Sequence, residues 1–240
     1  MRSLELAKRN LKETCLDPLS LGLTIALPIG LFFILQTLGR IEDLFKPTML
    51  APGIVLFGFV MIVFSSGFLL ARDRESSLLA RMLTTPLRAS DFIAAYALPF
   101  IPIGIIQVAA IYGIGSFLGL QISGSVSLVM LILFVMCCGY IGVGLILGSL
   151  VSTKQIGFAY MIVLFPTIFS GAWMPVDLMG DGFNRVVHWL PFAHALDATR
   201  AVMIDGVGFS DIATNFLWVL GYSVAFLALG VLAFRRRMLE

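Results

Sequence analysis

Apolar residues run through this chain in long blocks separated by short polar segments. The blocks fall at Leu19–Leu38, Leu50–Ala71, Phe92–Leu118, Ser127–Leu150, Ile156–Trp173 and Ala213–Phe234. At about 1.5 Å of rise per residue, a helix of such length crosses a ~30 Å hydrocarbon layer. Water is absent there, so each backbone group must bond within its own helix. A barrel needs alternating strands of about ten residues, and the sequence shows no such alternation. The expected fold is therefore an all-α membrane protein with six transmembrane helices in one domain covering 1–240. Pro52 stands where a helix start tolerates proline, whereas Pro28, Pro99, Pro102 and Pro166 predict local kinks.

The polar segments are as informative as the blocks. Residues 1–18 mix Leu4, Leu6, Leu11 and Leu16 with Lys8, Arg9, Lys12 and Glu13, which predicts a short interfacial helix; an ordinary juxtamembrane flank is the alternative. In the loop 72–91, Glu75, Leu78, Leu79, Met82 and Leu83 follow helical spacing until Pro86 stops the run. That helix either lies on lipid or docks in a groove on a partner. The connection 174–212 carries Asp177, Asp181, Arg185, Asp197, Arg200, Asp205 and Asp211, too much charge for a full span. Its apolar residues predict two short helices dipping into the interface, with Trp173 and Trp189 at headgroup level and Asp197 spaced to pair with Arg200.

Composition agrees with the pattern. Hydrophobic residues make up 59% of the 240 and charged residues 12%, against about 25% charged in soluble domains. The net charge of +2 says little, but its distribution is lopsided. Arg2, Lys8, Arg9, Lys12, Arg72, Arg74, Arg81, Arg88, Lys154, Arg235, Arg236 and Arg237 fall on one set of connections. Only Arg40, Lys46, Arg185 and Arg200 fall on the other. The bias places both termini in the cytoplasm, which requires an even number of spans. Lys8, Arg9 and Lys12 before the first block imitate a signal peptide. The block is long, though, and Arg40-Ile41-Glu42-Asp43 follows without a small-residue cleavage site, so it reads as a retained anchor.

Small residues repeat every four positions at Gly144, Gly148 and Ser152, and at Ala109-Gly113 and Gly115-Gly119. Such faces let helix backbones approach, within one subunit or across a dimer.

Several chemistries lack their residues. No Asp, Glu, Lys or Arg stands at mid-span depth, as ion- and proton-driven transport or voltage sensing usually requires. There is no Gly-x-x-x-x-Gly-Lys-Ser/Thr loop for ATP, no His-Glu-x-x-His pair and no Gly-x-Ser-x-Gly elbow. Cys15, Cys137 and Cys138 form no disulfide framework or metal spacing, and the last two read as small buried hydrophobes. His188 and His194 are six apart, on different faces of any one helix, and Ser65-Ser66-Gly67 lacks a base. The polar residues within spans are neutral: Gln36, Ser65, Ser66, Gln107, Thr167 and Ser170. They can bond between helices or line a passage for an amphipathic solute. Phe57, Phe64, Phe165, Phe169 and Trp173 are candidates to line it, with lipid contact or core packing as the alternative for each.

Two stretches together resemble a known family. Arg72-Asp73-Arg74-Glu75-Ser76-Ser77-Leu78 through Leu83-Thr84-Thr85-Pro86 resembles the Glu-Arg-Glu-x-Gly-Thr…Leu…Thr/Ser-Pro segment of type-2 ABC exporter permeases. Ser170-Gly171-Ala172-Trp173-Met174-Pro175, followed by Trp189-Leu190-Pro191 and Asp197-Ala198-Thr199-Arg200, resembles that family's Ser-Gly-x-x-x-Pro…Asn-Pro…Asp-x-x-Arg region. Ser76-Ser77 replaces Gly-Thr, and Leu190-Pro191 replaces Asn-Pro.

The resemblance implies a subunit that forms a homodimer or pairs with another half-permease and recruits two ABC ATP-binding subunits. Those subunits would bind ATP and Mg; this chain would hold no cofactor or metal and have no ATPase site. Glu75, Ser76, Leu79, Met82, Leu83, Thr85 and Pro86 would form the coupling helix seated on the ATPase. The second and fifth spans would border the pathway, and Pro175, Pro191, Asp197 and Arg200 would belong to an outer cap. The implied cargo is an amphipathic drug-, antibiotic- or lipid-like solute leaving across the cell membrane. Export of a lipid-linked polysaccharide, a membrane-embedded enzyme and a non-transporting membrane subunit are the alternatives.

Overall fold

A computed structural model describes residues 2–38, 45–76, 89–173 and 176–239, which form helices joined by short turns, with no strand among them. Helix α1 covers Arg2–Leu16. Next come α2 (Pro18–Leu38), α3 (Pro47–Glu75), α4 (Asp91–Phe117), α5 (Val126–Leu150) and α6 (Thr153–Ala172). Two short helices, α7 (Asp181–Val187) and α8 (Pro191–Arg200), precede α9 (Phe209–Leu239). Six of these helices, α2–α6 and α9, are long and apolar enough to cross a membrane. Each expected block falls on one of them: the first, third and fourth agree to within one residue at each end, and the other three differ by up to five. The helix α3 runs a turn beyond its apolar block, so Arg72–Glu75 are helical rather than part of the loop.

Three of the prolines interrupt their helices as expected; Pro47 rather than Pro52 opens α3, with Pro52 inside it, and Pro102 sits in the first turn of Phe100–Phe117 without a break. A proline has no N–H for the carbonyl four residues back, and its ring crowds that carbonyl. A widened π turn at Gly22–Ala26 stands just before Pro28, and another at Ile168–Ala172 follows Pro166. Helix α4 breaks at Leu98-Pro99, between Ala89–Ala97 and Phe100–Phe117.

Helix α3 is the centre of the molecule: 89% of its apolar window is buried, against 17% for α2 and for α9. Helix α5 packs between α3 and α9. Glycines allow both approaches. A Cβ at Gly148 would stand 2.7 Å from the Gly67 carbonyl oxygen, and one at Gly142 would stand 2.6 Å from the Leu227 nitrogen. The Gly144–Gly148 stripe is therefore used inside the chain. The other stripe divides: Gly115 meets Leu120 and Phe32, whereas Ala109 and Gly113 are exposed.

Side-chain contacts sort the helix ends into two faces. One holds α1, the end of α3, the start of α4, the α5–α6 turn and the end of α9. The other holds the start of α3, the end of α6, α8 and the α4–α5 turn. Helix α8 is almost wholly buried, packed against α3, α5 and α9.

Candidate functional site

The last turn of α3, from which the loop to α4 departs, is tied to its surroundings by three consecutive residues. Asp73 is buried and accepts hydrogen bonds from the Arg9 guanidinium of α1 at 2.7 Å and the Tyr96 hydroxyl of α4 at 2.8 Å. Burial works against the Arg9 charge, but the Asp73 and Glu13 carboxylates together outweigh it and raise the Arg9 pKa. Glu13 of α1 accepts from both Arg9 and Arg72, and Asn10 donates to the Ala95 carbonyl at 3.0 Å. Arg74 donates to the carbonyls of Ser149 and Val151 at the end of α5. Glu75 accepts from the backbone N–H and the hydroxyl of Thr153, the first residue of α6. Ser76 closes the turn, its hydroxyl donating to the Asp73 carbonyl at 2.9 Å.

At the opposite face Arg200 is the joint. Its guanidinium donates to the Met49 carbonyl at 3.1 and 3.2 Å and to the Ala172 carbonyl at 3.3 Å. Ala172 ends the π turn of α6, where Gly171 takes φ +94°, a conformation natural to glycine. Burial lowers the Arg200 pKa, with Asp197 opposing the shift. The expected Asp197–Arg200 pair does not form a direct contact; Asp197 instead meets the His188 Nε2 at 2.8 Å. His188 and His194 lie in different elements, so their rings meet edge to face at 5.5 Å despite the six-residue spacing. His194 Nε2 faces the His188 carbonyl at 2.8 Å and must carry the hydrogen; its ring also stacks on Trp218 at 5.0 Å.

Between the faces, neutral polar groups link spans. Thr24 of α2 bonds Ser65 of α3 at 3.0 Å, Gln107 of α4 donates to the Val55 carbonyl at 3.2 Å, and Tyr140 of α5 bonds Thr167 of α6 at 2.8 Å. Ser66 and Ser170 instead return their hydroxyls to carbonyls of their own helices. The aromatic residues fall into two groups. Phe57 packs on Trp173 with centroids 5.6 Å apart, and Phe64 meets Phe68 at 5.9 Å and Tyr160 at 5.4 Å. Phe165, Phe169 and Phe183 form a separate, more exposed run. Among the described residues no group of three His, Cys, Asp or Glu side chains could hold a metal.

Of the residues expected from sequence, Glu75 and Ser76 lie at the loop root, and Pro191 opens α8 at its first position. Leu79, Met82, Leu83, Thr85, Pro86 and Pro175 lie outside the described residues. Sequence reasoning missed Arg9, Glu13, Tyr96 and Thr153 as partners of the loop root. The single available signal was the charge of Asp73 and Arg74 inside the quoted motif.

What these features define is a polytopic all-α membrane protein. The family model described as ABC-2 type transporter matches residues 2–204, and the chain belongs to that family. The inner membrane transport permease YhhJ of Escherichia coli is 23% identical over 181 residues, covering 74% of this chain and 48% of the relative. The probable multidrug ABC transporter permease YbhR of Escherichia coli is 29% identical over 164 residues, covering 67% and 44%. The linearmycin resistance permease protein LnrN of Bacillus subtilis is 24% identical over 177 residues, covering 73% and 45%. The chain thus spans a little under half the length of these relatives.

Proposed function

We propose that this chain is the transmembrane subunit of an ATP-driven ABC exporter in the cell membrane, moving an amphipathic drug-, antibiotic- or lipid-like solute outward. The observation that carries this reading is the family match across residues 2–204. Two relatives, named for multidrug transport and for linearmycin resistance, favour such cargo. Energy comes from two separate ABC ATP-binding subunits that hold ATP and Mg, and the chain works as a homodimer or beside a second half-permease. The basic residues around α1, the α3–α4 loop, the α5–α6 turn and the end of α9 support a cytoplasmic position for that face.

In this reading Leu79, Met82, Leu83, Thr85 and Pro86 form the surface seated on the ATPase, and Glu75 and Ser76 root it. Phe57, Phe64 and Trp173 border the pathway, and the separate run of Phe165 and Phe169 lines it as well. Pro175, Pro191, Asp197 and Arg200 belong to the outer cap, which the Arg200 bonds to Met49 and Ala172 support.

Co-expression with the cognate ATP-binding subunit tests the assignment. The pair is expected to purify as one complex, and Leu79→Asp with Met82→Asp is expected to release the ATPase without lowering the thermal stability of the membrane subunit. Unchanged association in that variant rejects the coupling surface.

A further inference from the structure

Successive residues of a helix point about 100° apart, so three in a row reach three different neighbours. Asp73 reaches α1 and α4, Arg74 the end of α5, and Glu75 the start of α6. The last two contacts match charge to helix end. The final carbonyls of a helix are unpaired and carry partial negative charge, which suits the Arg74 cation at Ser149 and Val151. The first N–H groups carry partial positive charge, which suits the Glu75 carboxylate at Thr153.

Resting on the exporter reading, we propose that Arg74 and Glu75 form a mechanical link that carries movement of the loop root directly into α6. They are positioning residues that act within the chain, and Glu75 does so by holding Thr153 rather than by touching the ATP-binding subunit. The α5–α6 turn between the capped ends is only Val151-Ser152, too short to absorb displacement. Helix α6 can respond where α3 cannot. Its apolar window is 33% buried against 89% for α3, and it carries an interruption at Tyr160, Pro166 within the next piece, and the π turn Ile168–Ala172. A push at Thr153 is therefore delivered along a helix that can bend at Tyr160 and again between Pro166 and the π turn, beside Phe165 and Phe169.

The test uses the complex with the cognate ATP-binding subunit and two spin labels, at Phe158→Cys on α6 and Leu232→Cys on α9. Both sites are exposed, and the three native cysteines are replaced by alanine. The label distance is measured with and without ATP–vanadate trapping. The parent is expected to shift on trapping. Glu75→Gln and Thr153→Val are expected to lose that shift while keeping the ATPase bound, and Thr153→Ser, which retains both bonds, should preserve it. Because Thr153→Val exchanges the hydroxyl for a methyl of similar size and loses that bond to Glu75 while keeping the backbone one, it reads the hydroxyl half of the link even if Glu75→Gln fails to fold. A shift that persists in both variants overturns the link and leaves the exporter reading standing. Loss of ATPase binding in Glu75→Gln overturns it by making Glu75 a partner contact. No shift in the parent overturns the exporter reading itself, and the link falls with it.

Discussion

The Arg9 guanidinium and the Asp73 carboxylate lie 2.7 Å apart, joining the N-terminal helix to the last turn of the central span. Their side chains are exposed by 35% and 4%, so the acid is the buried partner and the base reaches in from the surface. An isolated buried carboxylate is costly, and here Arg9 and Tyr96 together satisfy it. Asp73→Ala strands the buried Tyr96 hydroxyl and takes from Arg9 the shorter of its carboxylate contacts, leaving it Glu13. Complete burial of such a pair puts the loss at ~3–5 kcal/mol, and the partial exposure of Arg9 reduces it to about 2 kcal/mol. Thermal unfolding in detergent checks this, and an Arg9→Met, Asp73→Leu double variant should recover part of the loss. An unchanged midpoint in Asp73→Ala rules out the joint.

The helix approaches make a second, graded prediction. Gly148→Val drives a side chain into the Gly67 backbone and Gly142→Val into the Leu227 backbone, each costing about 1–3 kcal/mol by overpacking. Gly113→Ala enters open space and should leave the chain's own fold within about 0.5 kcal/mol of the parent. Expression yield and unfolding midpoint across this series report the order. Equal effects at all three positions contradict the packing of α5 between α3 and α9.

Arg200 is expected to resist conservative replacement. Its planar guanidinium reaches the Met49 and Ala172 carbonyls together, and a lysine ammonium lacks that fork. Arg200→Lys should loosen the end of α6, at about 1.5–3 kcal/mol for the charged hydrogen bonds lost. Hydrogen exchange at the Ala172 and Trp173 amides should rise while that at α1 stays constant. Equal protection at α6 in both proteins would remove Arg200 from this role.

The topology can be read in intact cells. A thiol at Ser77→Cys is expected to react only with membrane-permeant reagents, whereas one at Gly182→Cys, in open space at the start of α7, should react with impermeant ones. Labelling of both positions from one side is incompatible with the proposed orientation.

The sequence by itself determined that lipid is the solvent and where the chain crosses it. That information is local: a long apolar run must be helical in hydrocarbon because its backbone has no other partner, so six blocks became six spans. Pro28, Pro99 and Pro166 likewise announced local departures from the α-helix, since a missing N–H acts only on the turn that contains it. Contacts between distant elements were decided by tertiary structure alone. Asp73 looked like one more loop charge until α3 continued a turn further and brought it against Arg9, 64 residues earlier. Asp197 and Arg200 have the spacing of a pair, yet packing set the buried Arg200 against the Met49 and Ala172 carbonyls instead. Which face of a helix turns inward, and which polar group meets which, depends on the packing of all the others, and no pattern within a single segment encodes it.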